Sequence, residues 1–334
     1  MNRSMMTRST SSRFALSAIV IVCARGASAA CPDVPQPVRD LSLVRFYEDS
    51  AGSVVEPTRM AEHQAETAPL VDYLSFITKQ ADKAYRQRSL PTETAACGLA
   101  WIKAWADGGA YLGKIDGKQA QAQRKWDLAG AALAYLKLKR WASADDRAVI
   151  EPWLIKVADA ARAHFDDPGI KRNNHWYWLG LALGAVGIAT DSDAHWQMAK
   201  AIMNDASHDI TSDGTLPLEM ARQARALHYH AFALMPLITL AELGASRGED
   251  FYALGNGALH RLAAKTAAGL ADPAVFDALA GVKQERPVKS GAGWVALYDA
   301  RFPDRLKQRH GQASNHRWLG GDVSVLSTVL TVKR

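Results

Sequence analysis

Two short segments carry most of the side chains able to do chemistry. The first is Asn173-Asn174-His175-Trp176-Tyr177-Trp178, two amides, an imidazole and three aromatics at the start of an apolar run reaching Ala189. Amide side chains suit a helix start, because their oxygens accept from first-turn N–H groups that lack an intrahelical partner. Capping accounts for one of the two Asn residues and not for the His, and clusters of this kind mark functional sites. The second segment is Arg222-Gln223-Ala224-Arg225-Ala226-Leu227-His228-Tyr229-His230. On a helix Arg222, Arg225 and Tyr229 stand at i, i+3 and i+7 and share one face. Two guanidiniums there are costly to bury without an anion, yet the following Leu234, Leu237, Leu240 and Leu243 demand a core. Positive charge beside a phenol is expected to lower its pKa and let Tyr229 exchange protons nearer neutrality.

Other chemistries find less support. His228 and His230 are two apart and would point in different directions on a helix, so with His175 they make a poor metal set. There is no His-Glu-x-x-His, no Gly-x-Ser-x-Gly and no phosphate loop, and Gly255-Asn256-Gly257 lacks both the preceding strand and the third glycine of a dinucleotide fingerprint. Neither a metal nor an organic cofactor is expected. Asp145-Asp146 and Asp166-Asp167 could serve a glycosidase, but turn chemistry explains them more simply.

The elements that must position these groups are helical. The chain has 334 residues, 48% hydrophobic and 22% charged, enough for a large core. Apolar spacing of period 3.6 dominates from residue 61: Leu70, Leu74, Ile77 and Ala81 form one stripe, and Trp126, Ala129, Leu133 and Leu136 another. Breaks are expected at Pro91, Asp107-Gly108-Gly109, Pro152, Asp167-Pro168-Gly169 and Asp213-Gly214. Strand signals are nearly absent, apart from a β-branched tail at Val323 to Val332. A succession of roughly ten such helices can bury its apolar faces in antiparallel pairs. Curved around a common axis, the pairs make an all-α fold of the α/α toroid type, an incomplete α/α barrel with a cleft at one end. A compact bundle is the competing arrangement. No linker composition divides residues 31–334, which read as a single domain.

Residues 1–30 read as a signal peptide. Arg3, Arg8 and Arg13 precede a short apolar stretch from Phe14 to Cys23, and Ala27-Ser28-Ala29 offers a cleavage site. The expected location is therefore periplasmic or secreted. Cleavage would leave Cys31 and Cys97, an even count that in an exported chain suggests one disulfide rather than two free thiols. No other apolar stretch reads as long enough to cross a membrane. Lys and Arg outnumber Asp and Glu by 40 to 34, for a pI near 9.2. The first 30 residues hold four Arg and no acid, so residues 31–334 carry only +2. Bulk charge therefore makes no case for nucleic acid, and an anionic partner must be held by a local cluster.

Taken together the motifs resemble those of the polysaccharide lyase family 5 alginate lyases, exported bacterial polyuronate lyases with an α/α toroid. The resemblance runs through Cys31-Pro32, Cys97 to Trp105, Arg124-Lys125-Trp126, Asn173 to Trp178, Gly214 to Glu219, Arg222 to Leu234 and Arg317 to Gly321. It implies β-elimination at a uronic acid of an anionic polysaccharide, with Asn174, His175 and Arg222 neutralising the C5 carboxylate and Tyr229 as acid and base. It also implies a lid at Tyr47-Glu48-Asp49-Ser50, and suggests Tyr47, Trp178, Arg225, His228 and Arg317 as substrate contacts. Two departures, Phe46 where the family often has Lys and the middle of Trp101-Ile102-Lys103, are expected to fall in substrate-contacting regions. The chemistry fits independently: C5–H is acidic only once its carboxylate is neutralised. In mannuronate or glucuronate that proton and the O4 leaving group lie on one side, within reach of one phenol. In guluronate they lie on opposite sides, and His175 is the expected base. The expected protein is an endolytic lyase acting as a monomer; the alternative is a non-catalytic polyuronate-binding protein of the same fold.

Overall fold

The computed structural model describes Met1 and residues 31–87, 91–285, 293–306 and 314–332. The expected signal peptide, apart from Met1, lies outside the described residues. From Val34 onward the chain is one compact unit. Cys31 and Cys97 are disulfide-bonded.

Twelve helices are described: α1 Pro57–Arg86, α2 Pro91–Asp107, α3 Gly117–Leu138, α4 Ala144–Ala163, α5 Asn174–Ala189, α6 Asp193–Asp209, the short α7 Pro217–Met220, α8 Ala226–Ala245, α9 Leu254–Ala271, α10 Ala274–Ala280, α11 Trp294–Arg301 and α12 Val323–Val332. Two-residue strands pair β1 Leu41–Ser42 with β2 Ile115–Asp116, and β3 Asn315–His316 with β4 Gly321–Asp322. Helices α1, α3, α5 and α8 lie side by side as an inner row, and each packs on the helix that follows it as an outer partner: α2, α4, α6 and α9. This is the α/α toroid.

Burial separates three of the inner helices from their outer partners. Helices α3, α5 and α8 are buried on nearly every side, whereas α2, α4 and α6 bury one stripe. On α5, Gly184 and Gly187 make the close packing possible. A Cβ on Gly184 would stand 2.5 Å from Leu240 of α8, and one on Gly187 2.8 Å from the Trp196 backbone of α6. Helix α8, with the residues just before it, is long and apolar enough to cross a membrane, contrary to the sequence reading. Its most apolar window is 89% buried by neighbouring helices, as suits the core of the toroid.

Three sequence expectations are corrected. Pro152 does not break the chain but sits inside α4. That outer helix is started by a capping box between Ser143 and Asp146, which also takes Asp146 out of any carboxylate pair. The tail at Val323 to Val332 is a helix: Val323, Leu326, Val329 and Leu330 are buried together, so period outweighed β-branched propensity. Arg222 and Arg225 do not lie on α8; a left-handed Gln223 and a 3-10 turn at Gln223–Arg225 precede it.

A C-terminal strap, residues 314–322, crosses the inner row against α1, α3 and α8. The fully buried Lys137 of α3 holds it. Its ammonium donates to Asp82 of α1 (2.6 Å) and to the carbonyls of Gly320 (2.7 Å) and Asp322 (3.0 Å). This strap presents His316, Arg317 and Trp318 to the end of the toroid where the inner helices begin.

Candidate active site

The N-terminal halves of all four inner helices, the strap and the segment at 45–52 line one cavity of about 1260 Å³. Helix N-termini carry partial positive charge, so four of them facing one space favour an anion. The lining sharpens this: it holds seven Lys and Arg residues and a single acid, Asp72. A chain nearly neutral in bulk thus concentrates its positive charge in one place.

Asn173 caps α5, its Oδ1 accepting from the His175 amide (3.1 Å). That fixes the helix start and aims His175 into the cavity, its ring stacked on Trp126 (centroids 5.6 Å apart). Burial, with Lys125 and Arg222 close by, pushes the imidazole pKa well below its usual value, so His175 is a neutral base. Asn174 differs from the sequence expectation: it is fully buried and does not line the cavity. Its backbone N–H (2.7 Å) and side-chain amide (3.0 Å) both donate to Glu219. Asn173 is the amide residue at the cavity wall, and Asn174 ties the start of α5 to α7.

The second segment converges although it is not one helix. The Arg222 guanidinium lies over the Tyr229 ring, 3.7 Å from its centroid, and Arg225 lies 5.3 Å from it. Arg222 has no hydrogen-bond or ion-pair partner for its side chain among the described residues, whereas Arg225 pairs with Glu285 (3.2 Å). The expected fall in the Tyr229 pKa does not occur. Burial raises it, the Tyr47 phenol adds to this, and the two arginines offset only part. In the resting protein Tyr229 is protonated. His228 lines the cavity and is pushed down to about 3 by burial and both arginines, so it is neutral. His230 is structural. Its Nδ1–H donates to the Ala226 carbonyl (2.8 Å), and its Nε2 accepts from Leu216 (2.9 Å).

The segment from Arg45 to Val55 closes over these groups. Tyr47 bridges the site: its hydroxyl is 2.6 Å from that of Tyr229 and accepts from Arg225 (2.7 Å). Asp49 shapes the turn by accepting from the amides of Ser53 and Val54 (both 2.8 Å). At its tip Gly52 has φ +66°, and a Cβ there would meet Arg222 at 2.7 Å. The left-handed φ favours glycine here, and its lack of a side chain leaves room for the guanidinium. Phe46 also lines the cavity, packing on Tyr47 and His63.

Arg317 lines the cavity with its guanidinium over Trp318 (4.8 Å), which stacks on Trp126 (4.6 Å). Trp178 is corrected: it is fully buried behind Phe232 and Trp318 and does not line this cavity. Lys103 is corrected as well, since it pairs with Asp107 (3.4 Å) on the outer helix α2, away from the cavity lining. Sequence reasoning missed Lys125. It lines the cavity, is nearly inaccessible, and rests against Trp126 (5.3 Å) and Phe165 (5.8 Å) with no carboxylate partner among the described residues. Burial, then Arg124, lowers its pKa well below that of an ordinary lysine. Its signal was a cation in the middle of an Ala- and Leu-rich helix. Among the described residues no group of three or more His, Cys, Asp or Glu could hold a metal.

A family model described as alginate lyase matches residues 45–276. Similar proteins include a polysaccharide lyase of Stenotrophomonas maltophilia, 42% identical over 92% of this chain and 94% of that one, and an alginate lyase of Azotobacter vinelandii, 32% identical over 90% and 84%. The chain belongs to the alginate lyase family. The fold also matches alginate lyase A1-III of a Sphingomonas species. A tetrasaccharide complex of a variant of that enzyme aligns with a TM-score of 0.78 at 23% identity, over 89% of this chain and 85% of that one.

Proposed function

We propose that this protein is an exported, endolytic lyase cleaving 1,4-linked polyuronates, with polymannuronate blocks of alginate as the first choice, by β-elimination. Residues 1–30 would be its leader and residues 31–334 a single catalytic domain working as a monomer. One observation carries the reading: Arg222 without an anion, neutral His175 and protonated Tyr229 face one cavity with a surplus of cations.

The uronate carboxylate meets Arg222 and the N–H of His175, which draw charge from it and acidify C5–H. Asn174 acts as a positioning residue through Glu219. Tyr229 takes the C5 proton once ionised, with Tyr47, Arg222 and Arg225 around its oxygen and ring, and returns a proton to O4 as the C4–O4 bond breaks. The products are a new non-reducing end with a C4–C5 double bond and a new reducing end. Because the phenol starts protonated, its service as base requires activity to rise with pH on the alkaline side of neutrality. For guluronate, with the two atoms on opposite faces, neutral His175 is the base and Tyr229 the acid. Lys125, Arg225, His228 and Arg317 are assigned to further carboxylates and hydroxyls of the bound chain.

The test is the ultraviolet absorbance of the unsaturated product on purified polymannuronate, polyguluronate and polyglucuronate. Tyr229→Phe is expected to lower kcat by about 10²- to 10⁴-fold while the polymer still binds. Full turnover by that variant would refute the assignment. Binding without any product from the unaltered protein would favour the non-catalytic binding reading.

A further inference from the structure

A second groove, of about 530 Å³, opens beside the cavity, and the two share Arg317 in their linings. Helix α1 runs along both. Its residues from Met60 to Asp72 border the cavity, and its residues from Ser75 to Arg86 border the groove. Lys79 and Lys83, one turn apart, therefore stand about 10 and 16 Å beyond Asp72 along the same helix.

The charges in this groove are unbalanced. Asp82, its only acid, is committed to Lys137 and to the Asp322 amide (2.7 Å), and Arg86 pairs with Asp322. Lys79, Lys83 and Arg317 have neither an ion pair nor a hydrogen bond for their side chains among the described residues, and Arg317 Nε is buried without a partner. Exposed lysines with no acid among them repel one another, and an anion on the groove relieves this. A strand of regularly spaced carboxylates fits such a track better than a single small ion.

We propose that this groove is a remote subsite for the polyuronate chain. Carboxylates away from the scissile bond pair with Lys79 and Lys83, and Arg317 marks the passage from cavity to groove. The proposal rests on the polyuronate reading above.

The experiment measures affinity against chain length, by calorimetry, with mannuronate oligomers of graded size. It uses Tyr229→Phe to prevent cleavage and compares that protein with the same protein carrying Lys79→Ala and Lys83→Ala. Affinity in the parent should rise with length, and the added substitutions should flatten that rise, leaving long chains about three- to ten-fold weaker. Lys79→Arg with Lys83→Arg should restore it. Superimposable length curves for parent and alanine variant would overturn the groove while leaving the lyase reading intact. A parent that binds no uronate oligomer of any length would overturn the lyase reading, and the groove with it.

Discussion

Glu219 is the hinge of the site, and its substitution tests how the two segments are held together. Its buried Oε1 accepts both the backbone N–H and the side-chain amide of Asn174, and its Oε2 is buried without a partner. Glu219→Ala removes both bonds and leaves two donors in a dry environment. Each orphaned donor costs about 1–3 kcal/mol, so the variant should be about 2–6 kcal/mol less stable. The start of α5, which carries His175, would lose its tie to the segment carrying Arg222. A shift of about 1 Å there is enough to lower turnover about 100-fold. Glu219→Gln separates the tie from the charge. Its carbonyl can keep both bonds, while its NH₂ group brings new donors to a position that lacks a partner, so some stability should be lost but turnover should stay near that of the unaltered protein. Urea unfolding gives the stability difference, and unsaturated-product formation gives kcat. If Glu219→Ala matched the unaltered protein in both, Asn174 would position nothing and the coupling of the two segments would be wrong.

Tyr47→Phe removes the bridge between Tyr229 and Arg225 while keeping the ring. It should lower kcat/KM about ten-fold, the worth of a charge-assisted hydrogen bond. The alkaline limb of the pH–rate profile should also move to lower pH, because Tyr47 raises the Tyr229 pKa. Lys137→Met strands the buried Asp82 and should cost about 3–5 kcal/mol in urea unfolding. Acid should weaken the fold between about pH 6.5, the unfolded histidine value, and about pH 4. His228 and His316 are pushed down to about 3 and His230 to about 4 by burial, and His175 lies well below its usual value. Across that window the unfolded chain binds protons that the folded chain refuses, at up to about 1.4 kcal/mol per pH unit for each histidine. Asp127, raised to about 6 by burial, works the other way, as do Asp82, Asp209 and Glu219. His63, His164 and His260 join the first group, leaving seven depressed histidines against four raised carboxyls among the described residues. Midpoints in urea at pH 7, 6, 5 and 4 check the direction, and a midpoint that rose on acidification would contradict it.

Much of the site was legible because its residues are close in sequence. Asn173 and His175 sit within one turn, and Arg222 to Tyr229 within two, so local geometry brings each group together whether or not the arginines are helical. Trp178 was misread for the same reason: three aromatics in a row say nothing about which one faces the core. Lys125 and Glu219 were overlooked because each matters only through neighbours distant in the chain. Lys125 faces His175 from another helix, and Glu219 meets Asn174 across 45 positions.

Sequence alone determined the all-helical class, most of the helices, the two chemical segments and the near-neutral bulk charge, since period, capping and composition act over a few residues. Tertiary structure decided where the charge is concentrated, which Asn reaches the cavity and which proton Tyr229 holds. Local reasoning expected arginines to bring the phenol toward neutrality. Burial, with Tyr47 against the phenol, reversed the sign, because desolvation depends on everything that surrounds a group and not on the residues beside it in the chain.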